Sequence, residues 1–95
     1  MTGAPVASET LTVGNTVKAL TSTVYRAHLV ERKALIEVIG GQDIYYRLDS
    51  ATATPTSSDH AGLVGMKIEC EHPSRFGAIR QGAVDATIKV TYFED

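Results

Sequence analysis

The sequence predicts an all-β fold, a small antiparallel β-sandwich or jelly-roll-like barrel, and three observations carry that reading. Residues 84–93 alternate without a slip, with Val84, Ala86, Ile88, Val90 and Tyr92 on one face and Asp85, Thr87, Lys89, Thr91 and Phe93 on the other. That is the period of a half-buried strand, and a run of this length fixes its register. Residues 44–49 repeat the pattern, with Ile44, Tyr46 and Leu48 opposite Tyr45, Arg47 and Asp49. Between such runs, turn signals recur about every eight to twelve residues, the spacing of sandwiches and barrels.

Residues 1–9 are small and polar with one proline, and read as a flexible N-terminal arm, either frayed or ordering on a neighbour. A single domain over residues 10–95 is expected to follow, so that removal of the arm leaves the fold intact. Residues 10–13 alternate as a short strand before the Gly14, Asn15 turn signal. Residues 16–20 alternate again, with an ambiguous phase. Residues 21–25 read as a turn into an extended piece, and 25–33 as extended, with one or two helical turns as the alternative. Residues 34–39 are almost continuously apolar, as in a strand covered on both sides. Gly40 and Gly41 end that run, and a short 40–43 loop predicts a hairpin pairing 34–39 with 43–48.

Residues 49–61 form the longest polar stretch. Loops of that length are usually functional or mobile, and this one offers little apolar content to hold it down. In residues 66–71, Met66, Ile68 and Cys70 are expected to face inward and Lys67, Glu69 and Glu71 outward. His72 and Pro73 break that strand, residues 76–80 are short and extended, and Gln81 and Gly82 turn the chain into its last strand. The expected core comprises Ile36, Val38, Ile44, Tyr46, Ile68, Val84, Ile88 and Val90.

Composition narrows the functional classes. A chain of 95 residues makes one domain with a marginal core, and with no tryptophan that core is thin, which favours completion by partner subunits. A net charge of −2 with dispersed lysines and arginines argues against nucleic acid. No apolar run is long enough for a membrane helix and no signal pattern opens the chain. A soluble protein beginning near Met1 or Thr2 is therefore expected, with no membrane partner. The lone Cys70 cannot form an internal disulfide and reads as a buried structural thiol.

Signs of reaction chemistry are weak. His28, His60 and His72 lack metal-ligand spacing. Ser57, Ser58, Asp59 and His60 collect triad residue types in consecutive loop positions, where no rigid scaffold aims a nucleophile at its base. Asp43, Asp49, Glu69, Glu71 and Asp85 are acids that any soluble sheet presents, and no glycine-rich phosphate loop precedes a helix. Neither an enzyme nor a cofactor is expected. Tyr45 and Arg47 point outward and are of types enriched at interfaces, although a cross-strand pair on an ordinary sheet face is the simpler account of them.

One resemblance extends this reading. The run Ile44, Tyr45, Tyr46, Arg47, Leu48, Asp49 is followed by Thr54, Pro55, Thr56 and then Gly62. Further on come Phe76, Gly77, Ala78, Ile79, Arg80 and a closing Ala86 to Tyr92. With an opening Thr16 to Thr21 one residue tighter in spacing, this order resembles small virion proteins of tailed bacteriophages. The likeness spans roughly residues 10–93; Ser50, Ala51, Thr52 and Ala53 depart from it, standing where a single glycine commonly follows the aspartate. It implies a structural role, best matched by a capsid decoration or cement protein bound across subunit junctions of the major capsid protein. The implied location is the capsid surface of a virion assembled in the host cytoplasm, and the implied state is a homo-oligomer, a dimer or trimer. A head–tail connector or tail accessory protein is the alternative, and a carbohydrate-binding module of a fibre a weaker one. Interface residues expected on this reading are Thr2, Pro5, Val6, Tyr45, Arg47, Thr54, Pro55 and Thr56.

Overall fold

The computed structural model describes residues 4–27 and 30–94. In chain order the elements are β1 (Ala4–Val13), β2 (Lys18–Ala19), a one-turn helix α1 (Ser22–Tyr25), β3 (Arg26–Ala27), β4 (Val30–Glu31), β5 (Lys33–Gly40) and β6 (Ile44–Arg47). They continue with β7 (His60–Gly62), β8 (Lys67–Cys70), a 3-10 turn (Pro73–Arg75), β9 (Gly77–Arg80) and β10 (Ala86–Glu94). Two antiparallel four-stranded sheets result, one ordered β1-β10-β5-β8 and the other β2-β9-β6-β7, with β3 and β4 as a separate pair. The sheets stay open and the core lies between them, so the arrangement is sandwich-like and not a closed barrel.

The alternation of β10 explains its central place. Ala86, Ile88, Val90 and Tyr92 are fully buried, and Leu11, Val38 and Ile36 stand opposite Ile88 or Val90 on the flanking strands. The second sheet contributes Ile44, Tyr46 and Ala78, and Phe76 joins them from the residue just before β9. Each large aliphatic or aromatic side chain so buried is worth about 1.5–3 kcal/mol. The expected core residues Ile36, Val38, Ile44, Tyr46, Ile68, Ile88 and Val90 are all buried.

Several expectations are corrected. The first strand starts at Ala4, not Thr10, and residues 4–9 of the expected arm pair with β10 through a bulge between Pro5 and Ala7. Val84 lies outside β10 and is 55% exposed, because the chain is still crossing from β9 to β10 there and Asp85 is tied to Arg80 (2.6 Å). Met66 is likewise exposed, since it closes a turn before β8, and Leu48 is exposed because β6 ends at Arg47. A helical turn occupies residues 22–25, where a plain turn was expected.

The largest correction concerns residues 40–43. They do not form a hairpin: β5 has β10 on one side and β8 on the other, so both its edges are taken and β6 joins the opposite sheet. Gly41 makes the crossing, with φ of +78° and the Asp85 carbonyl oxygen occupying the space a Cβ would need. Only glycine fits both conditions.

Candidate interaction surfaces

The expected interface residues fall on different sheets. Pro5 and Val6 are exposed on β1, with Pro5 opposite Phe93, whereas Tyr45 and Arg47 lie on β6 opposite Ile79 and Gly77. Thr2 lies outside the described residues, as does His28. Thr54 and Thr56 are exposed, but Pro55 is fully buried, which corrects both its place at a surface and the expectation that the long loop lacks apolar content to hold itself down.

Arg47 is engaged within the molecule. Its Nε and Nη2 donate to the two carboxylate oxygens of Asp49 (2.9 and 3.1 Å), and Asp59 lies 4.0 Å away. The shared hydrogen bond holds the Asp49 carboxyl below its ordinary range and raises the Arg47 guanidinium. Asp59 in turn accepts the Thr56 amide (2.8 Å), while its own amide donates to the Thr56 carbonyl (3.0 Å). The Ser50 hydroxyl accepts the amides of Thr52 (3.3 Å) and Ala53 (3.0 Å). These side-chain-to-backbone bonds give the 49–59 loop a defined shape. His60 stacks on Tyr46 with ring centroids 5.2 Å apart, and Tyr46 on Phe76 at 6.0 Å. Asp59 and His60 are thus committed to the loop and to the aromatic stack.

A second surface was not expected from the sequence. The β1–β2, β5–β6, β7–β8 and β9–β10 connections all pass between the two sheets at one end of the molecule. They are stitched together: Arg80 donates its amide to the Gly14 carbonyl, Gln81 to that of Asp43, and Gly65 to that of Val38. Leu63, Val64, Gly65 and Met66 form a tight turn, closed by the Met66 amide on the Leu63 carbonyl (2.9 Å), with Gly65 at φ +96°. The Asp43 carboxylate accepts the Val64 amide at 2.8 Å and fixes the turn's tip.

This crossover end presents apolar side chains to solvent: Ile39 (48% exposed), Leu63 (50%), Val64 (51%), Met66 (38%) and Val84 (55%). A rigid, hydrogen-bonded frame carrying exposed Leu, Val, Ile and Met has the character of a protein-binding surface. The sequence signal was present, an apolar pair beside the Gly65 turn that no strand period requires.

Cys70 is buried, and desolvation pushes its thiol from 9.0 up to about 11. Among the described residues, no group of three or more His, Cys, Asp or Glu is placed to hold a metal ion, and no helix is long and apolar enough to cross a membrane. In comparisons with known proteins, no family model, no curated protein and no solved structure matches the chain. The resemblance to tailed-phage virion proteins therefore rests on its motifs alone.

Proposed function

We propose that the chain is a virion structural protein of a tailed bacteriophage that decorates the capsid, docking across junctions between major capsid protein subunits. The observation that carries this reading is the crossover end, where Leu63, Val64, Met66, Ile39 and Val84 stand exposed on a stitched frame. The motif order from Ile44 to Tyr92 adds the virion context. The mechanism is mass action: a protein that binds only the assembled shell stabilises it by the binding free energy, and many copies on a symmetric lattice add through avidity.

The test adds purified protein to shells stripped of their native decoration and measures occupancy and disruption temperature. Intact protein is expected to bind and raise that temperature, and the double variant Val64→Ser with Val84→Ser to bind at least about tenfold more weakly. If intact protein neither binds nor protects the shells, decoration fails and the connector or tail reading replaces it. Copy number then separates the two, since decoration implies on the order of hundreds per virion and a neck or tail ring about six or twelve.

A further inference from the structure

Each sheet has two edges, and they are unequal. β2, β7 and β8 are edge strands of 2, 3 and 4 residues, whereas β1 is an edge of 10. Short edges resist further pairing, and a long one is a template for another strand. Beyond β1, no strand of the described residues pairs with its outer side.

We propose that β1 pairs antiparallel with β1 of a second copy of this chain across a two-fold axis at Thr10. This proposal does not depend on the virion reading. The bulge between Pro5 and Ala7, with a proline that has no N–H to donate, ends the regular edge on one side, and the end of the strand at Val13 closes it on the other. The regular run is residues 7–13, and its centre is Thr10.

Pairing about that centre sets Thr10 opposite Thr10 of the second copy, Ser8 opposite Thr12, and Ala7 opposite Val13. Ser8, Thr10 and Thr12 are exposed, uncharged and suited to cross-strand hydroxyl contacts. Glu9 meets Leu11 in this register, so no like charges face each other; an axis at Glu9 would oppose two carboxylates. Glu9 also points to the inner side, where its carboxylate accepts from the Tyr92 hydroxyl, from Thr21 Oγ1 (2.6 Å) and from the Thr21 amide (3.3 Å). Its charge is therefore committed away from the seam. The four-stranded sheets of two copies would join as one eight-stranded sheet, within the size that a twisted open sheet sustains. A two-fold seam of this kind is isologous and closes on itself, leaving the crossover ends of both copies free.

Sedimentation of the full chain against concentration tests the seam, together with two kinds of variant. Wild type is expected to dimerise reversibly, and Thr10→Lys, which sets two like charges on the axis at an exposed position, to raise the dimer dissociation constant by at least about tenfold. Because Thr10 also stands opposite Lys89 on β10, the dilute Thr10→Lys protein should melt below dilute wild type by no more than about 5 °C, which separates lost pairing from lost folding. Thr10→Cys is expected to cross-link to itself rapidly with a mild oxidant or a short bis-maleimide. Thr12→Cys is not, because its opposite residue is Ser8. A wild type that stays monomeric up to about 1 mM, a dimer indifferent to Thr10→Lys, or equal cross-linking at positions 10 and 12 would each overturn the proposal.

Discussion

Glu9 shows how one residue ties distant parts of the chain together. It lies on an edge strand, yet its carboxylate takes a hydrogen bond from Tyr92, a fully buried ring on the neighbouring strand, and two from Thr21 at the start of α1. Removing that acceptor strands a buried hydroxyl, so Glu9→Ala should cost about 1–3 kcal/mol, measured by urea unfolding. Tyr92→Phe removes the donor as well as its need for a partner and should cost less. A double-mutant cycle between the two gives their coupling.

The same environment makes stability depend on alkaline pH. Desolvation first, then the Glu9 hydrogen bond, raises the Tyr92 phenol well above its ordinary 10.0, and burial raises Cys70 from 9.0 to about 11. For both groups the folded value exceeds the unfolded one, so folding favours the protonated form. The sign follows: their contributions are whole below pH 9, that of Cys70 fades between 9 and about 11, and that of Tyr92 falls as the pH rises beyond 10. Unfolding free energy measured against pH should decline through this window, and Tyr92→Phe should flatten its upper part.

At the scale of elements, the turns carry the specificity. Gly41 and Gly65 both have positive φ, but they differ in surroundings: a Cβ at Gly41 meets the Asp85 carbonyl, and one at Gly65 meets open space. Gly65→Ala should therefore cost only the left-handed strain, roughly 1 kcal/mol. Gly41→Ala adds a backbone clash and should cost clearly more, about 2–4 kcal/mol. Thermal melts of the two variants check the order. In the 49–59 loop, the amides of Thr52, Ala53, Thr56 and Asp59 all have acceptors. Hydrogen exchange should find them protected relative to Ser57, in place of the uniformly mobile loop that its composition suggests.

For the whole molecule, the first strand is decisive. The composition of residues 1–9 suggests that they are dispensable, yet residues 4–9 supply more than half of β1 and the Glu9 anchor. Their deletion should lower the melting temperature by about 5 °C or more, and an unchanged melt would restore the reading of a separate arm. The core is equally exposed to single losses. Ile88→Ala empties a fully buried site flanked by Leu11 and Val38, at about 2–5 kcal/mol. Against a total of about 5–15 kcal/mol, that is enough to threaten folding.

Alternation alone settles which residues of β6, β8 and β10 face inward, because it is a local property that holds wherever the strand geometry persists. It does not settle β5, whose continuous apolar run reads as covered on both sides, whereas its burial alternates and Ile39 is 48% exposed. What it could not determine was where each strand goes. Residues 34–39 and 43–48 read as a hairpin because two glycines and a short spacing permit one, but β10, nearly fifty residues further on, takes the place beside β5. Strand partners are chosen by long-range burial, in which the strand with the most continuous apolar face takes the centre and displaces the local neighbour. The same competition decided that residues 4–9 lie on the sheet, that Val84 stays outside it, and that four crossings gather at one end with their apolar side chains exposed. The outline of the fold was local information; the exposed apolar end and the long free edge of β1 are products of its topology.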